Sequence, residues 1–306
     1  MFLGPLAKIY SAVTMRNYRE KRYGKQRKTG IVVAVGGITM GGSGKTILVR
    51  EICEMLRGKK IAVLSRGFGR KSSETLRVDN RRHTAEDVGD EPLLLSTIVP
   101  VYVGKDRSRS AMQAEAFDVL ILDDGITQKF LKPDVKFLVI DSEQRFGNGE
   151  MFPLGPNRLD FNEVKRDMDG IIVLGEHPEQ FQMDDYGSAV FYATLRSDFS
   201  QLQRKIIAFC GLGYPEKFFN SLKSFEIADR IAFPDHYLFS IKDIEKLMQN
   251  AKRAKAQLVT TEKDLMRVPR EFRQHIATVP VRLEWISPPT EFMCLLRSLG
   301  GSQDLL

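Results

Sequence analysis

The sequence predicts an α/β protein, with a mainly parallel sheet flanked by helices and a second, smaller α/β lobe after it. Three observations carry this. An apolar run, Ile31–Val35, leads through a glycine-rich turn into the helix-permissive stretch Ile47–Leu56. A second apolar run, Phe117–Leu122, ends in Asp123-Asp124. After about residue 195 the alternation of apolar run and amphipathic stretch starts again. Short apolar runs bounded by turns and alternating with helical patterns read as parallel strands covered on both faces.

The first 30 residues hold eight Lys and Arg against one acid, Glu20, and so carry the whole formal charge of +7. Phe2, Leu6, Ile9, Tyr10 and Val13 recur there at helical spacing, ahead of the basic run Lys21, Arg22, Lys25, Arg27 and Lys28. Residues 1–29 therefore read as an amphipathic, basic segment suited to an anionic membrane surface; a helix packed on the body with a solvated flank is the alternative. The charges follow the apolar part with no small-residue cleavage site, which argues against a signal peptide. Uncharged stretches such as Pro92–Gly104 are too short to span a bilayer, which needs about 20 apolar residues. No aromatic platform or recognition helix accompanies the charge, so nucleic acid is not an expected partner. Cys53, Cys210 and Cys294 lie far apart without metal or pairing spacing, as in reduced, cytoplasmic proteins.

Strand, glycine turn and helix in succession are what a phosphate-binding loop requires. In Gly36-Gly37-Ile38-Thr39-Met40-Gly41-Gly42-Ser43-Gly44-Lys45-Thr46, glycines let backbone N–H groups turn inward around a triphosphate. Residues Thr39 to Thr46 would cradle the nucleotide, with Lys45 reaching the β and γ phosphates and Thr46 ligating Mg²⁺. Thr39 stands where the strict G-x-x-x-x-G-K-[ST] pattern has its first glycine. Asp123 and Asp124 follow a buried strand as Walker B carboxylates do, so Asp123 and Thr46 can meet at one metal; an acidic turn is the alternative. The loop and these carboxylates together give a P-loop NTPase-like domain over residues 30–195.

Further strands are expected at Ile61–Leu64, Val101–Val103, Phe137–Ile140 and Ile171–Leu174. In the smaller lobe, residues 196–306, strands are expected at Ile206–Cys210, Ile227–Phe233, Leu258–Thr261 and Val279–Trp285, and helices at Pro215–Ser224 and Ile241–Ala256. The cleft should lie between the lobes.

A series of ordered motifs resembles the tetraacyldisaccharide 4′-kinase family. Besides the loop, which in that family also has Thr in place of the first glycine, these are Ser65-Arg66-Gly67-Phe68-Gly69-Arg70, Gly89-Asp90-Glu91-Pro92, Asp123-Asp124-Gly125 and Arg145-Phe146-Gly147-Asn148-Gly149. Leu154-Gly155-Pro156-Asn157-Arg158, Gly211-Leu212-Gly213-Tyr214-Pro215-Glu216-Lys217-Phe218-Phe219, Phe233-Pro234-Asp235-His236 and Thr260-Thr261-Glu262-Lys263-Asp264 complete the set. Two departures stand out: Ile126, Thr127 and Gln128 follow Asp-Asp-Gly, where the family has an apolar residue, Gln and His, and Leu159 follows Arg158, where it often has Glu. The resemblance implies transfer of the γ-phosphoryl group of ATP, with Mg²⁺, to the 4′-hydroxyl of a tetraacylated glucosamine disaccharide 1-phosphate. It also implies a peripheral, monotopic enzyme on the cytoplasmic face of the inner membrane.

Phosphoryl transfer to a hydroxyl needs positioning, charge neutralisation and a proton acceptor. Asp90 is the candidate base, a place the resemblance also gives it; capping the helix that Pro92 opens is its alternative role. The resemblance implies that His236 orients Asp90 from the other lobe; a structural histidine is its alternative role. Lys45, Asp123 and Asp124 complete the expected catalytic set, with Glu91 beside the magnesium. Arg66 and Arg70 are expected to meet substrate oxygens, and Arg158 either the transferring phosphoryl group or a structural ion-pair partner. His83, His177 and His275 have no evident partner and are expected on the surface. Two rival readings share parts of this pattern. A nucleotide-dependent switch or metal-insertion GTPase would need a guanine-reading Asn/Thr-Lys-x-Asp segment, which Thr261-Glu262-Lys263-Asp264 matches only loosely. A non-catalytic membrane adaptor would not need Gly44-Lys45-Thr46 with two acidic residues.

Overall fold

The apolar runs become strands because both of their faces find cover. The computed structural model describes residues 3–20, 30–181 and 188–299. In chain order, β1 (Ile31–Gly36), β2 (Ile61–Ser65), β3 (Leu76–Arg77), β4 (Val101–Val103), β5 (Val119–Asp123), β6 (Val135–Asp141), β7 (Gly170–Leu174) and β8 (Ala189–Ser197) lie in one sheet. β9 (Lys205–Cys210), β10 (Glu226–Ala232), β11 (Gln257–Thr261) and β12 (Ala277–Val279) form a second, and β13 (Val281–Trp285) returns to the first. Among the described residues the larger sheet thus has nine strands, ordered β13-β8-β7-β6-β1-β5-β2-β4-β3, parallel except for β3–β4 and β8–β13. The smaller, ordered β10-β9-β11-β12, is parallel throughout.

The helices of the first part are α1 (Leu3–Arg19), α2 (Lys45–Met55), α3 (Ala85–Val88), α4 (Asp90–Leu95), α5 (Arg107–Gln113) and α6 (Phe161–Val164). Those of the second are α7 (Pro215–Ser221), α8 (Ile241–Ala254), α9 (Glu262–Leu265), α10 (Arg270–Arg273) and α11 (Pro289–Leu299). Alternation along β1 splits the main core in two. Ile31, Val33 and Val35 pack with Leu48, Val49 and Ile52 of α2, while Val32 and Ala34 pack with Leu120, Leu122 and, from α1, Met15 and Tyr18. Each such buried Val or Leu is worth about 1.5–3 kcal/mol, so the sandwiching of β1 fixes the base of the phosphate loop.

The smaller lobe differs from the sequence reading at its end. The run Val279–Trp285, expected as one strand there, breaks at Pro280: Ala277–Val279 stays in the small sheet, and Val281–Trp285 pairs antiparallel with β8 in the large one. α11 then packs Phe292 and Leu296 against the main core, with the Phe292 ring 4.8 Å from those of Phe137 and Trp285. Residues 281–299 therefore belong to the larger lobe, not to the second lobe expected from residue 196. β8 was not among the expected strands, although Ala189–Ala193 is a continuous apolar run; in the sheet only Phe191 and Ala193 of it are fully buried.

α1 combines the two alternatives open at the N-terminus. It docks on the body through Ala7, Met15 and Tyr18, whose hydroxyl donates to Asp167 at 2.9 Å, yet leaves Leu3, Leu6, Ile9 and Val13 exposed. Tyr10 packs its ring on Phe152. Phe2 and the basic run Lys21–Lys28 lie outside the described residues.

Candidate active site

The phosphate loop leaves the carboxyl end of β1, at the centre of the large sheet. It closes tightly: a Cβ on Gly37 would come within 2.8 Å of Ser43 Oγ and 3.5 Å of Lys45 Nζ. Lys45 Nζ donates to Ser43 Oγ at 3.3 Å, and Gly44 opens α2 at a φ of 85°, a conformation glycine adopts freely. Thr39, where the strict pattern has a glycine, is not in the left-handed region, and its backbone bridges antiparallel to Asn157. Segment 154–158 backs the loop further: Met40 N–H donates to Pro156 O at 2.8 Å and Arg158 N–H to Ile38 O at 2.6 Å.

β5 lies beside β1 with Val35 in register with Asp123. Asp123 is buried and accepts a hydrogen bond from Ser65 Oγ at 3.2 Å. Burial, with the charges of Glu91 and Asp124 close by, pushes its carboxyl up to about 7 against the pull of Lys45 and Ser65. Asp124 behaves oppositely. Burial raises it, but the fork of Arg158, at 2.8 and 2.9 Å, outweighs this and holds it down at about 2. Arg158 also donates to Gly37 O at 3.0 Å, so it ties the Walker B turn to the phosphate loop.

The residues present fit a magnesium ion. Burial, with the negative charges of Glu91 and Asp124 added, disfavours the charged form of Asp123, and a divalent cation would relieve it. Among the described residues no three acidic, His or Cys side chains could hold a metal on their own. That suits Mg²⁺, which takes one or two carboxylates and fills its shell with phosphate oxygens and water. Asp123 and Thr46 are the candidate ligands. Glu91, expected in the same shell, accepts from Lys263 Nζ at 3.0 Å.

The second cluster crosses the cleft. Gly89, at a φ of 93°, precedes α4, so Asp90 is the helix's first residue and not its cap. Asp90 is 6% exposed, its Oδ1 accepts from Glu91 N–H at 2.9 Å, and its Oδ2 lies 3.1 Å from His236 Nδ1. His236 holds a left-handed φ of 56°, uncommon for a residue with a β-carbon and often seen at functional sites. Lys263 Nζ and Arg267 Nε stand 3.9 and 3.3 Å from the same Oδ2. Burial pushes the Asp90 carboxyl up, but the His236 hydrogen bond and the charges of Lys263, His236 and Arg267 overcome it and hold the group below the ordinary carboxylate range.

These observations coincide with what the chain is similar to. The family model described as tetraacyldisaccharide-1-P 4′-kinase matches residues 1–299. The chain belongs to that family. A tetraacyldisaccharide 4′-kinase of Rhodospirillum centenum is 36% identical over 292 residues, covering 89% of this chain and 84% of that one. One of Dinoroseobacter shibae is 37% identical over 296 residues, covering 92% and 87%. The crystal structure of the "apo" form of LpxK from Aquifex aeolicus in complex with ATP shares the fold, with a TM-score of 0.79 at 24% identity over 97% of this chain and 98% of that one.

Within this kinase framework several side chains fall where the sequence did not place them. Arg70 donates to Glu74 O at 2.7 Å, within its own loop, while Arg66 is exposed. Gln128 is buried, accepting from Phe130 N–H and Leu131 N–H, and so closes the turn after Walker B. Leu159 is fully buried in the core beside α1, an environment that would not accept a carboxylate. His177 and His275 are exposed, whereas His83 is half-buried and accepts from Asp79 N–H. Sequence reasoning missed Arg107 and Arg267, and named Lys263 only within its motif, without a role. Arg107 is buried, donates to Gly104 O at 2.9 Å, and is lowered to about 10 by burial despite Asp123 and Asp124 nearby. Only the spacing of Lys263 and Arg267, four apart in and just after α9, could have signalled a shared face.

Proposed function

We propose that this chain transfers the γ-phosphoryl group of ATP to the 4′-hydroxyl of a tetraacylated glucosamine disaccharide 1-phosphate, a lipid A precursor, at the cytoplasmic face of the inner membrane. The observation that carries the mechanism is the contact of Asp90 with His236 across the cleft. Glu91, next to Asp90, lies within electrostatic reach of Asp123 and Arg158, so the pair adjoins the phosphate loop. The attacking hydroxyl loses its proton to the Asp90–His236 pair, which shares it as a unit. Asp90 supplies the negative charge, and His236, 39% exposed, is the member that solvent and substrate meet first. Loop N–H groups and Lys45 hold the phosphates, while Arg158 fixes Asp124 against the loop. Thr46 and Asp123 would hold Mg²⁺, which would supply charge neutralisation to the phosphates. Arg66, exposed just after the carboxyl end of β2, is the remaining candidate for the acceptor's oxygens.

The exposed stripe of α1 supports docking on a membrane surface, where the lipid acceptor resides. Among the described residues no helix is long and apolar enough to cross a membrane. The GTPase reading loses its base-reading segment, because Asp264 is fully buried and bonded to Gly211 N–H and Arg267. The test is incubation of the protein with γ-labelled ATP and disaccharide lipids in mixed micelles. A product one phosphate heavier, with the label at the 4′ position, is expected. Label released only as inorganic phosphate would overturn the assignment.

A further inference from the structure

We propose that Arg267 is a positioning residue for the reaction: from the smaller lobe it fixes the carboxylate of Asp90 in the orientation in which the Asp90–His236 pair receives a proton. The inference rests on the reading of that pair given above.

Arg267 follows α9, and its side chain is 1% exposed. A guanidinium is buried only when its donors are matched to fixed acceptors. Two of its nitrogens serve the smaller lobe. Nη2 donates to Asp264 Oδ1 at 2.7 Å and to Gly211 O at 2.9 Å, and Nη1 donates to Tyr237 O at 3.4 Å. Asp264 in turn accepts from Gly211 N–H at 2.8 Å and from Thr261 Oγ1 at 2.6 Å. The guanidinium plane is therefore set by its own lobe before Asp90 is considered. The third nitrogen, Nε, is buried and makes no hydrogen bond among the described residues, yet it lies 3.3 Å from Asp90 Oδ2 on the other lobe. A fixed, desolvated donor aimed at a buried carboxylate but not fully aligned with it is the state expected before substrate binding tightens the site. No fold requirement of the smaller lobe needs Nε to point across the cleft.

Lys263 reaches Asp90 differently. It is 26% exposed, 3.9 Å from Asp90 Oδ2, and makes its hydrogen bond to Glu91. Of the two cations only Arg267 combines burial with a rigid plane, so only Arg267 can orient Asp90. Its hydrogen-bond geometry matters more than its charge, which a lysine would keep.

The test is a cycle of four full-length enzymes: wild type, R267K, D90N and R267K/D90N. Melting temperature and ATP affinity are measured for each, together with kcat and KM for ATP and for the disaccharide lipid. R267K keeps a cation against Asp264 and so avoids an unpaired buried charge. In the wild-type background it is expected to lower kcat about 10- to 100-fold, the range for losing a hydrogen bond to a charged group, with both KM values within about twofold. In the D90N background the same change should cost less than about twofold, because a positioning residue has nothing left to position. Equal losses in both backgrounds would mean a structural role, and an R267K enzyme of full activity would mean none; either overturns the proposal alone. A D90N enzyme of near-normal kcat would instead remove the assignment of the pair, and the proposal with it.

Discussion

Replacing Leu6 and Ile9 of α1 with Gln should release the enzyme from lipid without unfolding it. The two side chains are 53% and 61% exposed, so they contribute little to the fold. Gln is a good helix former, and the docked face of Ala7, Met15 and Tyr18 is untouched. Burying a whole Leu or Ile is worth about 1.5–3 kcal/mol, and a little over half of each remains to be buried, which leaves about 1–1.5 kcal/mol per side chain. Together they amount to about 2–3 kcal/mol, or about a 30- to 150-fold weaker partition into bilayers at 1.4 kcal/mol per tenfold. The assay is co-sedimentation with anionic vesicles at fixed salt, with the melting temperature as control. An unchanged partition would refute the idea that this stripe inserts. A melting point several degrees lower would show instead that α1 uses these side chains for packing.

Lys45→Ala should reduce kcat by orders of magnitude, since its charge serves the phosphoryl group in transit; phosphorylation within tenfold of wild type would contradict the loop assignment. Asp90→Ala and His236→Ala should each lower kcat while leaving ATP affinity unchanged, and the double variant should be little worse than the worse single one; multiplied losses would show independent roles. The third concerns pH. Because Asp123 is raised to about 7 in the folded protein from 3.8, the folded state holds the extra proton between those values, and stability without metal should fall as pH rises from about 4 to about 7. Melting temperatures of metal- and nucleotide-free protein should show that fall, Asp123→Asn should flatten it, and a flat wild-type curve would contradict the charge crowding described. Asp124, depressed to about 2, works in the opposite sense but only at lower pH, where its stabilisation is lost as it protonates.

What was legible in the sequence was whatever local pattern decides. The phosphate loop, the Walker B strand and the central strands announce themselves as apolar runs with glycines or acids at fixed offsets, because their environment is set by neighbours on both faces. β8 and β13 are antiparallel partners at the sheet edge, half-exposed, and their pairing is decided 88 residues apart, as between Arg196 and Glu284. No local signal sends Val281 back to the larger lobe. The site divides in the same way. Lys45 and Asp123 follow from motif chemistry, but the burial of Arg267, its distance to Asp90 and the use of Arg158 as a tie between two loops are products of tertiary closure.

The contacts between lobes are of unequal worth, and the inequality bears on how the enzyme avoids hydrolysing ATP. Arg50 pairs with Glu262 at 2.9 Å, Lys217 with Asp141 and Glu143 at 3.1 Å each, and Arg270 donates to the backbone carbonyls of Asn80, Arg81 and His83. Ion pairs in contact with water contribute about 0–1 kcal/mol apiece, so none of these alone would keep the lobes together. At Asp90 the balance is different. The carboxylate is 6% exposed, and the side chains that stabilise its charge, His236, Lys263 and Arg267, all come from the other lobe. Separation would hydrate Asp90 and strip it of its partners together, whereas the phosphate loop, built wholly on the larger lobe, would stay intact. ATP could then occupy an open molecule in which the proposed proton acceptor is unassembled, and water reaching the γ-phosphoryl group would find no such base beside it. Only closure, which also excludes bulk water, brings the two halves of the chemistry together.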